Sequence, residues 1–233
     1  MATLRILSAG AAQAVVEQIQ EAFERETGNT VVKDCGAVGA MKKRVVDGEA
    51  ADVILLTRAL IDELAASGHV VDGSIHDLGK VGTGVAVRAG TPLPGISNDE
   101  ALRASLLAAT KIVFPDPATA TAGKVIMKMF ESLGIGDAVR DRLQFFPNGY
   151  AAMKWLASSS GANEIGMTQV SEIVANKGVA YVGPFPEKYQ MKATYSVALA
   201  AKAQEPALAR DFIGRLAAPS FRDRLRAAGY ELG

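Results

Sequence analysis

Apolar and polar positions along the chain alternate between two periods. Thr3 to Leu7 reads as a short strand that passes through the small residues Ser8-Ala9-Gly10-Ala11-Ala12 into a helix. There Val15, Val16, Ile19, Ala22 and Phe23 recur at helical spacing, and Gly28 is placed to end the helix. The rhythm repeats: Thr30 to Lys33 is strand-like, and Cys35-Gly36-Ala37-Val38-Gly39 turns into a second helix carrying Met41 and Val45 that stops near Gly48. The run Asp52 to Leu56 is short and apolar enough for a buried strand. A helix follows from Arg58 to Ser67, closed by Gly68, and a glycine-punctuated strand from Val81 to Arg88. Strand, helix, strand, helix is the order of a parallel sheet covered by helices.

After the loop Thr91-Pro92-Leu93-Pro94-Gly95 the pattern starts again. Helices are expected at Asp99 to Ala109, at Ala122 to Leu133 with a core face of Val125, Ile126, Met129, Phe130 and Leu133, and after the capping residue Asn148. Strands are expected at Lys111 to Phe114, Gln144 to Phe146, Glu164 to Met167 and Val179 to Val182. The apolar segment Ala193 to Ala200 echoes Val81 to Arg88, and helices at Glu205 to Ala217 and Pro219 to Ala228 close the chain. A chain that leaves one lobe and returns to it explains the echo. The expected organisation is a discontinuous first lobe, residues 1–88 with 194–233, and a second lobe of residues 89–193, joined by two crossings with a ligand cleft between them.

Composition narrows the chemistry. Lys+Arg and Asp+Glu are each 25, so the formal charge of zero supplies no field for nucleic acid or an anionic membrane, although a local anion pocket is compatible with it. Cys35 is the single cysteine, which excludes an internal disulfide and a cysteine-rich metal site. His69, after a helix stop, and His76, in a polar turn, are both expected to face solvent, which leaves no histidine as an evident general base. No metal or cofactor is called for. No apolar run approaches the roughly 20 residues that span a bilayer, and the N-terminus lacks a basic, apolar, then small-residue leader. The sequence as it stands is expected to be cytoplasmic, or periplasmic if a leader has been removed.

The strand-to-helix turns carry the candidate chemistry, because a helix N-terminus presents free N–H groups and a partial positive charge to an anion. Ser8, Gly10 and Ala11 form one such turn, either a ligand cradle or a close helix-on-strand packing. Thr119, Thr121 and Gly123 suggest a phosphate loop. Ala118 and Val125, however, stand where that motif needs glycine and a hydroxyl, so anion binding without nucleotide is the better reading.

Taken in order, Ile6 to Ala12, Ala51-Asp52-Val53, Phe114-Pro115-Asp116-Pro117 through Ala122-Gly123, Ile165-Gly166 and Tyr195-Ser196-Val197-Ala198 resemble the type II periplasmic binding proteins, in their molybdate-binding branch. The resemblance covers nearly the whole chain. It implies two Rossmann-like α/β lobes joined by two crossover segments, a small anionic ligand in the cleft and, if the chain is exported, an ABC-transporter permease as partner. That family holds its oxyanion with hydroxyls and backbone N–H groups. Carried over, its first serine falls at Ala11 and its second near Val38, next to Gly39, so both hydroxyls are missing. Its third-loop backbone donor falls at Ala122, and its tyrosine near Thr168 or Gln169. These departures point away from molybdate and toward a di- or tricarboxylate.

A carboxylate needs donors on two oxygens and often a cation. Arg58, directly after a strand, is the expected cation, with Lys42 and Lys124 as weaker candidates. Asn148, as an alternative to a plain cap, and Tyr150 complete the expected ligand shell. The segment Glu164-Ile165-Gly166-Met167-Thr168-Gln169 with Val182-Gly183-Pro184 is similar to aconitate-isomerase-like members of this branch. That resemblance implies an alternative activity, proton transfer on a tricarboxylate, for which Tyr150 and Lys124 are the candidate acid–base groups.

Overall fold

The computed structural model describes all residues from Met1 to Gly233, in two units: Met1–Val81 with Ala193–Gly233, and Gly82–Lys192. In the first, β1 (Thr3–Ala9), α1 (Gln13–Thr27), β2 (Thr30–Gly36), α2 (Val38–Val46), β3 (Val53–Thr57), α3 (Arg58–Ala66) and β4 (His76–Val81) run in sequence. The second holds β5 (Thr83–Arg88), α4 (Asp99–Ala108), β6 (Lys111–Pro115), α5 (Thr121–Ser132), α6 (Gly136–Val139), β7 (Leu143–Phe146), α7 (Gly149–Ser158), β8 (Glu164–Gln169), α8 (Val170–Val174) and β9 (Val179–Pro184). The chain then returns to the first unit as β10 (Ala193–Leu199), α9 (Pro206–Ala217) and α10 (Arg222–Ala227). No helix is long and apolar enough to cross a membrane.

Each unit is built on one five-stranded sheet, ordered β2-β1-β3-β10-β4 in the first and β7-β6-β8-β5-β9 in the second. The two orders are the same topology. Three parallel strands lie side by side, β2, β1 and β3 or β7, β6 and β8. The fourth strand, β10 or β5, is antiparallel to both of its neighbours. In each sheet that antiparallel strand is the one the chain enters on crossing from the other unit.

Side-chain alternation on the strands and the apolar stripes of the helices meet in separate cores. Phe23 of α1 packs edge-to-face on Phe212 of α9 at 5.0 Å between ring centres in the first unit. In the second, Phe114 of β6 meets Phe130 of α5 at 5.8 Å and Phe145 of β7 at 5.1 Å. Gly28 ends α1 in the left-handed conformation, φ 67°, which a side chain would disfavour.

Val81 to Arg88 is not one strand of the first lobe, as its apolar continuity suggested. It divides at Gly82: β4 ends in the first sheet and β5 begins in the second, so residues 82–88 belong to the second unit. His76, expected in a polar turn, starts β4. Hydrophobic pattern specifies burial but not which sheet takes each half of a run. What pins the break is Gln190, whose Oε1 accepts from the Thr83 N–H at 2.7 Å and hydroxyl at 2.9 Å, while its Nε2 donates to the Thr83 carbonyl at 3.0 Å. A Cβ on Gly82 would come within 3.0 Å of that Oε1.

Candidate functional site

In an open α/β sheet the carboxyl ends of parallel strands are where successive helix N-termini gather. In the first unit β1, β2 and β3 end together, with Ser8 in register with Cys35 on one side and Leu55 on the other. Beyond these ends lie the 3-10 turn Gly10–Ala12 and the starts of α1, α2 and α3, at none of which does a side chain cap the helix. Gly10 and Ala11 are buried, Val38 is half-buried and Gly39 exposed. The sequence candidates of the first unit are thus brought to one sheet edge, where their backbone N–H groups carry no side-chain acceptor.

Two of them have their side chains committed elsewhere. The Ser8 hydroxyl, fully buried, donates to the Ala9 carbonyl at 3.0 Å, because a buried hydroxyl pairs with the nearest acceptor. Arg58, the expected cation, is exposed, and its Nε donates to Asp62 at 2.7 Å and its Nη1 to Asp77 at 3.1 and 3.3 Å. Asp77 also accepts from the Ser196 hydroxyl at 2.6 Å. Asp62 follows Arg58 by one helical turn; Asp77 lies on β4, the strand the hydrophobic pattern did not reveal, so its proximity was hidden. Lys42 is likewise paired, with Glu63. Beside Ser8, burial pushes the Cys35 thiol up to about 11, with Lys33 and the Ser8 hydroxyl pulling the other way.

In the second unit β6, β7 and β8 end together and feed α5, α7 and α8. Before α5, the Asp116 carboxylate accepts from Ala118 N–H at 2.8 Å and its carbonyl accepts from Thr119 and Ala120, closing the turn. Thr119, Thr121 and Lys124 are exposed, while Ala122 and Gly123 are buried. A Cβ on Gly123 would lie 2.3 Å from the Pro115 carbonyl oxygen and 2.8 Å from the Pro117 Cα, so glycine is needed there for the helix to pack on its own loop. No side chain caps α5.

At α7 the arrangement differs. Asn148 is the cap, its Oδ1 accepting from Ala151 N–H at 2.8 Å. The backbone at Gly149, Tyr150 and Gln169 lies beside the carboxyl of Glu172 on α8 and favours its charged form. The Thr168 hydroxyl also donates to it, at 2.5 Å from Oε2. Thr168, Gln169 and Glu172 are all buried, and Tyr150 is half-buried. A Cβ on Gly149 would fall 1.9 Å from Thr168 Oγ1 and 2.0 Å from Glu172 Oε2. Burial pushes the Glu172 carboxyl up from the ordinary range, against the pull of the Thr168 hydroxyl and the neighbouring backbone. Asn148, Tyr150, Thr168 and Gln169 therefore lie at one edge, where the Glu172 carboxyl sits against the start of α7.

Glu172 was not among the sequence candidates. The sequence offers no local signal for it: Thr168 is on a strand and Glu172 on the following helix, so no single period aligns them.

The chain matches the model of the bacterial extracellular solute-binding proteins over residues 4–231. It is 30% identical to an aconitate isomerase of Pseudomonas sp. over 234 aligned positions, covering 97% of this chain and 87% of that one. It is 21% identical to the molybdate-binding protein ModA of Escherichia coli (strain K12), covering 98% and 89%. Among solved structures, the periplasmic molybdate-binding protein of Azotobacter vinelandii superposes with a TM-score of 0.78 at 21% identity, covering 99% of both chains. That likeness confirms the type II binding-protein fold expected from the sequence. With the family model matched from Leu4 to Glu231, the chain belongs to the bacterial extracellular solute-binding proteins, in the group that includes molybdate-binding and aconitate-isomerase relatives.

Proposed function

We propose that the chain binds a small di- or tricarboxylate in preference to molybdate. The observation that carries this reading is the first-unit edge. Three uncapped helix starts offer backbone N–H groups, while Ala11 and Val38 stand where the molybdate-binding branch is expected to place hydroxyls. Such a surface favours an anion with apolar carbon between its charged groups over a compact tetrahedral oxyanion. As a solute-binding protein it would deliver this ligand to an ABC-transporter permease, which requires export to the periplasm. Calorimetry against citrate, cis-aconitate, trans-aconitate, molybdate and sulfate tests the reading. Heat from a carboxylate and none from molybdate is the expected outcome, and silence across all five would overturn it.

A second reading is favoured by the aconitate isomerase relative at 30% identity across 97% of the chain. Aconitate is a tricarboxylate, so both readings share a ligand class. In the isomerase reading one proton leaves a carbon beside a carboxylate and one returns at the far end of the allylic unit, so the double bond moves and no atom is gained or lost. Tyr150 and Lys124 are the candidate carriers of that proton. Deuterium incorporation into cis- or trans-aconitate, followed by proton NMR, separates an enzyme from a receptor that binds without exchange.

A further inference from the structure

The second unit places a carboxyl of its own at the N-terminus of a ten-residue helix, α7, on the edge where a ligand anion would be sought. Its partner is an alcohol, the Thr168 hydroxyl, beside the backbone of Gly149, Tyr150 and Gln169, rather than a cation. These groups come from the start of α7 and the end of β8. The fit is tight: Gly149 has no room for a Cβ between Thr168 and Glu172. An ionisable group packed this closely against polar donors costs desolvation that an apolar side chain of similar size would avoid. Asn148 already supplies the ordinary cap, so α7 does not need a second acceptor merely to begin.

We propose that Glu172 is a positioning residue for the ligand: its carboxyl takes the anion position at the start of α7 and thereby fixes the Thr168 hydroxyl and the backbone at Tyr150 and Gln169. It acts through these neighbours and does not itself touch the ligand. The consequence for the ligand's class is that the first turn of α7 does not bind its charge. Within this unit its anionic groups fall instead to the uncapped start of α5. This inference rests on the carboxylate reading proposed above.

The test is calorimetric titration of citrate, cis-aconitate and trans-aconitate into the wild-type chain and into Glu172→Gln, Thr168→Val and Thr168→Ser, with urea midpoints measured alongside. Glu172→Gln and Thr168→Val are each expected to weaken binding at least tenfold while folded. Thr168→Ser, which keeps the hydroxyl, is expected to restore wild-type affinity. The double variant should bind no worse than the weaker single one, because both changes break one unit. A folded Thr168→Val or Glu172→Gln with wild-type dissociation constants overturns the inference while leaving the carboxylate reading intact. Should Glu172→Gln fail to fold, the Val and Ser pair at Thr168 decides alone. A wild-type chain that binds none of the three acids overturns the carboxylate reading and this inference with it.

Discussion

The two units share one sheet topology, and each buries a carboxylate at the amino end of its central strand, Asp52 before β3 and Glu164 at the start of β8. Only the second adds another, Glu172, at the carboxyl end. In the first, Asp52 sits just before β3, at the amino end of the strand, where its two oxygens accept from the N–H groups of Arg5 at 2.8 Å, Gln204 at 2.7 Å and Glu205 at 2.9 Å. It ties β1 to the approach of α9. In the second, Glu172 lies at the carboxyl edge itself, packed against the start of α7 and held by the Thr168 hydroxyl. A helix N-terminus found in a sequence is therefore an anion site only where the chain does not bring its own anion to it.

The comparison can be broken at Gly149 first. Gly149→Ala forces a methyl group into the space held by Thr168 and Glu172, and overpacking of this kind costs about 3 kcal/mol. A clear drop in the urea midpoint is expected, and an unchanged midpoint would show that the Glu172 arrangement is loose. Asp52→Ala tests the other end. It leaves three backbone donors without their acceptor, with an expected loss of about 2 kcal/mol in chemical denaturation and no change in ligand preference. Altered ligand selectivity in that variant would erase the distinction between a carboxylate that staples the fold and one that serves the site.

A pH series sharpens the contrast. Burial raises the folded-state pKa of Glu172 above its ordinary value of 4.5, so the folded chain holds its proton longer than the unfolded one. Stability from this group is then fully present below pH 4.5 and is lost as pH rises through the raised folded value. Glu172→Gln should remove that part of the decline; an identical profile in variant and wild type would contradict it. The smallest effect is at Cys35. With its thiol pushed up to about 11, roughly one molecule in a thousand is ionised at pH 8. Iodoacetamide should therefore label it about a hundredfold more slowly than an unperturbed thiol.

Much of this was legible in the sequence, because strand and helix periods and the glycine stops follow from burial alone. Asn148 as a cap was readable for the same local reason. What stayed hidden was long-range. Gly82 divides an apolar run between two sheets, and the partner that marks the break, Gln190, lies 107 residues from Thr83. Arg58 looked like a free cation because Asp77 belongs to β4, a strand with too few buried positions to show an apolar run. Glu172 escaped because its meaning depends on α7 arriving beside it from more than twenty positions earlier in the chain.

The most direct test of the central claim is one calorimetric comparison of trans-aconitate with molybdate on the purified wild-type chain at neutral pH. Saturable binding of the tricarboxylate with no heat from molybdate is the predicted result. Saturable binding of molybdate with none of the tricarboxylate would contradict it.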